Sequence, residues 1–167
     1  MKKSVCSIIA LSTLLAFAGT TDARESLGMF SGWGAFRDPA ARCYAIAKAE
    51  PSTRQRDYEP YATIGTWPKQ AIRNQLHIRL SRKLAPDARI SLRVDAQNFQ
   101  LVGGGGDAWA QDKRMDAAVV AALRSAARMS VSSRDAKGRG FSDRYDLAGV
   151  PTAMDAATVG CARLTRK

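Results

Sequence analysis

The chain has 167 residues, with 26 Lys and Arg against 15 Asp and Glu, for a net charge of +11. That length is typical of one domain and allows about two-thirds of the unfolded surface to be buried, so folding needs no cluster of disulfides or metals. Hydrophobic residues make up 46% of the chain, which excludes a disordered class, and the positive balance favours anionic partners.

The N-terminus comes first. Lys2 and Lys3 precede an almost unbroken apolar run at residues 5–15. Small residues follow, with Ala16-Phe17-Ala18 and Thr21-Asp22-Ala23 as two small-x-small sites. This is the layout of a secretory signal peptide cleaved after Ala18 or Ala23. The apolar run is shorter than the roughly 20 residues of a membrane-spanning helix, and Cys6 lies too early to be a lipid-attachment cysteine. The sequence predicts a signal peptide at residues 1–23 and one exported domain at residues 24–167. Its expected location is the periplasm, with outer-membrane association or secretion as alternatives. Nucleic acid is rarely present there, so the charge points to lipid head groups or acidic polysaccharide.

Export leaves two cysteines, Cys43 and Cys161. Two thiols in an oxidising compartment usually pair; a buried free pair or a metal pair are the alternatives. His77 is the only histidine and no third cysteine remains, so neither a zinc site nor a cofactor is expected.

Along the domain, Met29 to Phe36 is aromatic and glycine-rich, and a strand-like run surrounds Cys43-Tyr44-Ala45-Ile46. A polar loop occupies residues 50–60, and a strand at Tyr61 to Trp67 stops at Pro68. Leu76, Ile78 and Leu80 alternate with His77, Arg79 and Ser81, and Ile90, Leu92 and Val94 alternate with Arg89, Ser91 and Arg93. Period-two alternation predicts two half-buried strands, and Ala85-Pro86-Asp87 between them predicts an antiparallel hairpin. The chain then reverses at residues 95–98 into Phe99-Gln100-Leu101-Val102. Gly103 to Gly106 lacks the features of a phosphate-binding loop and is expected to join the sheet to an Ala-rich helix capped by Asp116. Two strands near residues 129–133 and 141–147 flank a turn, and a helix entered at Pro151 runs to Cys161. Seven or eight short strands with two helices inserted late predict a mainly β, sandwich-like domain.

The chemistry-bearing residues are few. His77 alone suggests a surface residue more than a triad or metal ligand. The acidic pairs Asp143 with Asp146 and Asp57 with Glu59 have glycosidase-like composition but are expected to be solvated loop carboxylates. Trp33, Trp67 and Trp109 would serve either packing or sugar stacking. The predicted hairpin would display His77, Arg79, Arg89 and Arg93 on one face, with Arg82 and Lys83 at its turn. Like charges facing one another across strands repel, so this set is the candidate anion-binding face.

Trp33, Cys43-Tyr44, the Leu76-x-Ile78-x-Leu80 strand, the Ala-rich helix after Asp116, and Tyr145-Asp146-Leu147-Ala148-Gly149 followed by Ala153-Met154 and Cys161 resemble the invasion-associated locus B proteins. The resemblance covers roughly residues 29–162, and its most specific part is the C-terminal stretch. It implies an immunoglobulin-like β-sandwich, an exported protein of a Gram-negative envelope, no assigned catalytic residues and, for some members, a link to host-cell invasion. The chain departs from the family pattern in having Gly103 to Trp109 where many members carry a central cysteine pair. The functional expectation is a non-enzymatic envelope binding module whose partner is an anionic envelope component or a protein. A small envelope enzyme or enzyme inhibitor with a loop-built site is the alternative.

Overall fold

The computed structural model describes residues 23–162, so the predicted signal peptide, apart from its last residue, lies outside the described residues. The aromatic, glycine-rich start is a hairpin of β1 (Glu25–Phe30) and β2 (Trp33–Asp38) turning at Ser31-Gly32. β3 (Arg42–Lys48), β4 (Tyr61–Trp67) and β5 (Ile72–Arg79) follow as antiparallel neighbours. Trp67 is the last residue of β4 because Pro68 begins a 3-10 turn, Pro68–Gln70. Then come β6 (Ile90–Val94), β7 (Gln97–Gly104), β8 (Asp107–Trp109), α1 (Lys113–Leu123), β9 (Arg128–Arg134), β10 (Gly140–Asp146) and α2 (Val150–Ala162).

The strands form one antiparallel sheet in the order β1-β2-β3-β4-β5-β8-β7-β6-β9-β10. β7 belongs to both halves of it: Gln97 to Leu101 pair with β6, and Val102 to Gly104 pair with β8. Inward residues of both halves, including Leu76 and Ile78 on one side and Leu92, Val131 and Tyr145 on the other, join one buried core. The mainly β class with two late helices is as the sequence predicts, and the strand shared at β7 is consistent with an immunoglobulin-like sandwich. No helix among the described residues is long and apolar enough to cross a membrane. Cys43 of β3 and Cys161 of α2 form a disulfide, their Cα atoms 5.7 Å apart.

Three local expectations are corrected. The 76–94 hairpin does not form, because β8 and β7 stand between β5 and β6. Its connecting segment carries Leu80 and Leu84, both buried, and is held to the end of β9 by Ala85 N–H to Arg134 O and Ala136 N–H to Lys83 O. Burial of those leucines carries the chain across the core, since alternation reveals which face is buried and leaves the strand partner open. The glycine tract is likewise a turn between strands: Gly104 pairs with Asp107 around Gly105, whose φ is +64°. A Cβ on Gly103 would lie 2.1 Å from the Asp107 carbonyl oxygen, so the hairpin closes only on glycine. The cap of α1 is Asp112, which accepts from Met115 N–H. Asp116 is buried and accepts from Leu76 N–H at 2.8 Å, bracing the helix on β5.

The Tyr145 to Gly149 stretch makes the β10–α2 junction. Asp146 accepts from Trp33 Nε1 through its carbonyl and from Ala148 N–H through its carboxylate. Leu147 N–H donates to Ala127 O, and Gly149 has a φ of +86° with its backbone pressed against the Phe30 carbonyl. The most specific part of the family resemblance is therefore a structural joint.

Candidate anion-binding face

The fold divides the four residues predicted as a basic face. His77 and Arg79 are on β5 and share one carboxylate of β8, with His77 Nε2 2.9 Å from Asp107 Oδ1 and Arg79 Nη1 2.5 Å from Asp107 Oδ2. The Arg79 guanidinium also lies 3.9 Å from the centroid of the Tyr58 ring. Charge is balanced there. Arg82 sits between Asp57 and Asp135, at 3.8 and 3.9 Å. Arg89 and Arg93 belong to β6 or its approach, which β8 and β7 separate from β5.

Around Arg89 and Arg93 the structure assembles a different basic surface. In β6, Ile90, Leu92 and Val94 are buried while Ser91 and Arg93 are exposed. In β9, Met129 and Val131 point inward; in β10, Phe141, Asp143 and Tyr145 do so. The antiparallel registers then align the outward residues in rows. Asn98, Arg93, Ser130 and Arg144 form one row, and Gln100, Ser91, Ser132 and Ser142 the next. The Ser132 and Ser142 hydroxyls are hydrogen-bonded at 3.0 Å. Arg128 and Arg134 mark the two ends of β9, while Arg54 approaches from the 50–60 loop.

Among the described residues, these six arginines share the lack of an ion-paired carboxylate, as do Arg24, Arg56, Arg73 and Arg114. Among the described residues, no carboxylate forms an ion pair with Arg54, Arg89, Arg93, Arg128, Arg134 or Arg144, whereas Arg37, Arg42, Arg79, Arg82, Arg124 and Arg139 are all paired. Arg93 Nε donates only to Asp95 O, and Arg134 Nη1 only to Gly138 O. Serines interleave the cations and reduce direct repulsion across the strands. Two open depressions cross this face and meet at Arg144. One of about 920 Å³ lies between the Ser52-Arg54 and Ala85 to Arg89 segments, and one of about 530 Å³ runs along Arg93, Arg128 and Ser130. Asp87 is among the lining of the first, and Glu50 and Asp95 among that of the second. Guanidinium forks beside hydroxyl donors are suited to phosphate or carboxylate oxygens.

Sequence reasoning missed Arg54, Arg128, Arg134 and Arg144. The signal was present for Arg128 and Arg144, which with Ser130, Ser132 and Ser142 alternate with buried positions at period two, and it breaks before Arg134, where Ser133 is only half-buried. Arg54 is in an irregular loop and carries no such signal.

Buried carboxylates behind the face act as braces. Asp143, expected in solvent, is buried and accepts from Ser81 N–H at 2.8 Å. Burial raises its pKa despite the opposing Ser81 bonds and the Arg56 and Arg82 charges. Burial similarly raises Asp116 against its bond from Leu76. For Asp135, burial is outweighed by hydrogen bonds from the Arg139 side chain and from the Arg139 and Lys137 N–H groups, which hold the carboxyl below the ordinary range. Burial first, and the Asp143 charge second, push the Tyr145 hydroxyl well above its ordinary pKa. Asp57 and Glu59 are exposed in the 50–60 loop, where Asp57 accepts from Lys83 N–H. Among the described residues no three His, Cys, Asp or Glu side chains converge as a metal site.

No curated protein and no solved structure matches the chain significantly. Residues 37–158, which run from the end of β2 well into α2, match the family model described as invasion associated locus B (IalB) protein, and the chain belongs to that family.

Proposed function

We propose that this IalB-family chain is an exported, non-enzymatic envelope binding module that holds an anionic envelope component on the outer face of β6, β9 and β10. The observation that carries this reading is a group of six arginines without carboxylate partners on one serine-bearing surface, with Arg93, Arg128, Arg134 and Arg144 set there by strand register and Arg54 and Arg89 flanking them. Uncompensated charge on a rigid sheet raises the local concentration of anions, and its guanidinium forks recognise phosphate and carboxylate. The carboxylates best placed for acid–base work, Asp116, Asp135 and Asp143, are occupied by backbone N–H bonds, which supports binding over catalysis.

The test compares two triple variants that remove equal charge. Arg89→Gln, Arg93→Gln and Arg144→Gln together are expected to reduce retention on vesicles containing anionic phospholipid by about tenfold or more, corresponding to about 1.4 kcal/mol. The triple variant at Lys69, Arg73 and Lys113 should lose much less. Binding should weaken as salt shortens the Debye length. Equal losses in the two variants would reduce the interaction to net charge and overturn the site.

A further inference from the structure

The other half of the sheet has an outer surface of different character. Successive registers place Met29, Gly34, Ile46, Thr63, His77, Trp109 and Val102 in a single row across seven strands. Three of the exposed large hydrophobics of the described chain lie in this row: Met29 at 65%, Val102 at 45% and Trp109 at 37%. His77 stacks on Trp109 with ring centroids 5.2 Å apart and planes inclined by 28°, and Tyr61 meets the other side of His77 edge-on at 5.7 Å. Nearby rings lie flat on the sheet because glycines leave room beneath them. A Cβ on Gly65 would come within 2.7 Å of the Trp67 ring, and one on Gly34 within 2.6 Å of Phe36.

Hydrogen-bonding groups share this level. Thr63 stands within the row, while Arg79 and Asp107 form the neighbouring row with Lys48 and Tyr61. Unlike the arginine face, this surface has Arg42 and Arg79 already paired with Asp38 and Asp107, with Lys48 beside the row as a cation outside any ion pair among the described residues. A flat, ring-lined strip with polar groups alongside and little uncompensated charge suits a ligand having apolar faces and hydroxyl edges. A sugar ring has that chemistry. A protein partner would call for a broader apolar centre within a polar rim, whereas the exposed apolar strip here is one residue wide.

We infer that this face binds an uncharged polysaccharide strand, with Trp109 stacked on His77 as the platform and the Arg79–Asp107 pair as hydrogen-bonding partners for hydroxyl groups. The site is separate from the arginine face and stands or falls independently of it. The test titrates the protein, its Cys43–Cys161 disulfide intact, with cellohexaose, maltohexaose and chitohexaose while following the indole N–H resonances and tryptophan fluorescence. At least one sugar should shift the Trp109 indole signal saturably. Trp109→Ala should weaken binding about tenfold, whereas Trp109→Phe should stay within about threefold, since a ring face is what stacks. Raising the salt, or substituting Arg89, Arg93 and Arg144, should leave the affinity unchanged, which separates this site from the anionic one. Thermal unfolding of Trp109→Ala should still show one cooperative transition well above the titration temperature, so that lost binding is read on folded protein. No shift with any of the three sugars at millimolar concentration, or undiminished binding by Trp109→Ala, would overturn the inference.

Discussion

At the scale of single residues, the same side-chain type has different roles according to what the fold places beside it. Arg79 is neutralised by Asp107 and covered by Tyr58, while Arg93 and Arg144 stand in one row with Ser130 between them and no carboxylate in contact. The sequence makes these arginines alike, because the distinction depends on partners up to 28 positions away, as for Arg79 and Asp107. Asp143 shows the same limit from the other side: its neighbours Ser142 and Arg144 are exposed, yet it is buried and receives the Ser81 N–H. Burial raises its pKa above the ordinary carboxylate value. The folded protein therefore keeps the proton to a higher pH than the unfolded chain does, so stability falls as pH rises from the ordinary carboxylate value to the raised one, and the deficit stays constant above it. Asp143→Asn keeps an acceptor oxygen for Ser81 without the charge. Urea unfolding should show the variant gaining on the parent as pH rises from about 3 to about 7. A stability difference that stays constant, or turns against the variant with rising pH, would contradict the assignment.

At the scale of elements, strands were legible wherever alternation was strict, as in β5, β6 and β10, and both helices were visible from Ala content and from Pro151. Partners were not legible. The leucines at 80 and 84 end the apparent hairpin because their burial lies across the core, and four consecutive glycines conceal a strand pairing that has no side chain to announce it. The β10–α2 junction shows why a motif specific in sequence need not be a functional site. Gly149 combines a φ of +86° with a Cβ direction that ends 2.1 Å from the Phe30 carbonyl oxygen, whereas Gly138, at +77°, faces open space. Gly149→Ala thus adds a backbone clash to the strain that both substitutions share. It should cost about 2 kcal/mol or more, against about 1 kcal/mol for Gly138→Ala, read from urea midpoints. Equal losses would mean that the joint is not held against β1 as described.

At the scale of the whole molecule, a shared strand joins two half-sheets whose outer faces diverge in chemistry. One carries unpaired arginines among serines; the other carries flat rings beside paired charges. The disulfide ties β3, in the half with the rings, to α2, the last element of the described chain. A net charge of +11 announced an anionic partner but not its place, since only the register of β6, β9 and β10 converts scattered arginines into a surface. The measurement that tests this central claim most directly is a map of backbone and arginine Nε–H chemical shifts during titration with bicelles containing anionic lipid. The account predicts perturbations concentrated on Ser91, Arg93, Ser130, Ser132, Ser142 and Arg144, fading as salt is added. Shifts spread evenly over every lysine and arginine, or centred on β4 and β5 with β6, β9 and β10 silent, would contradict it.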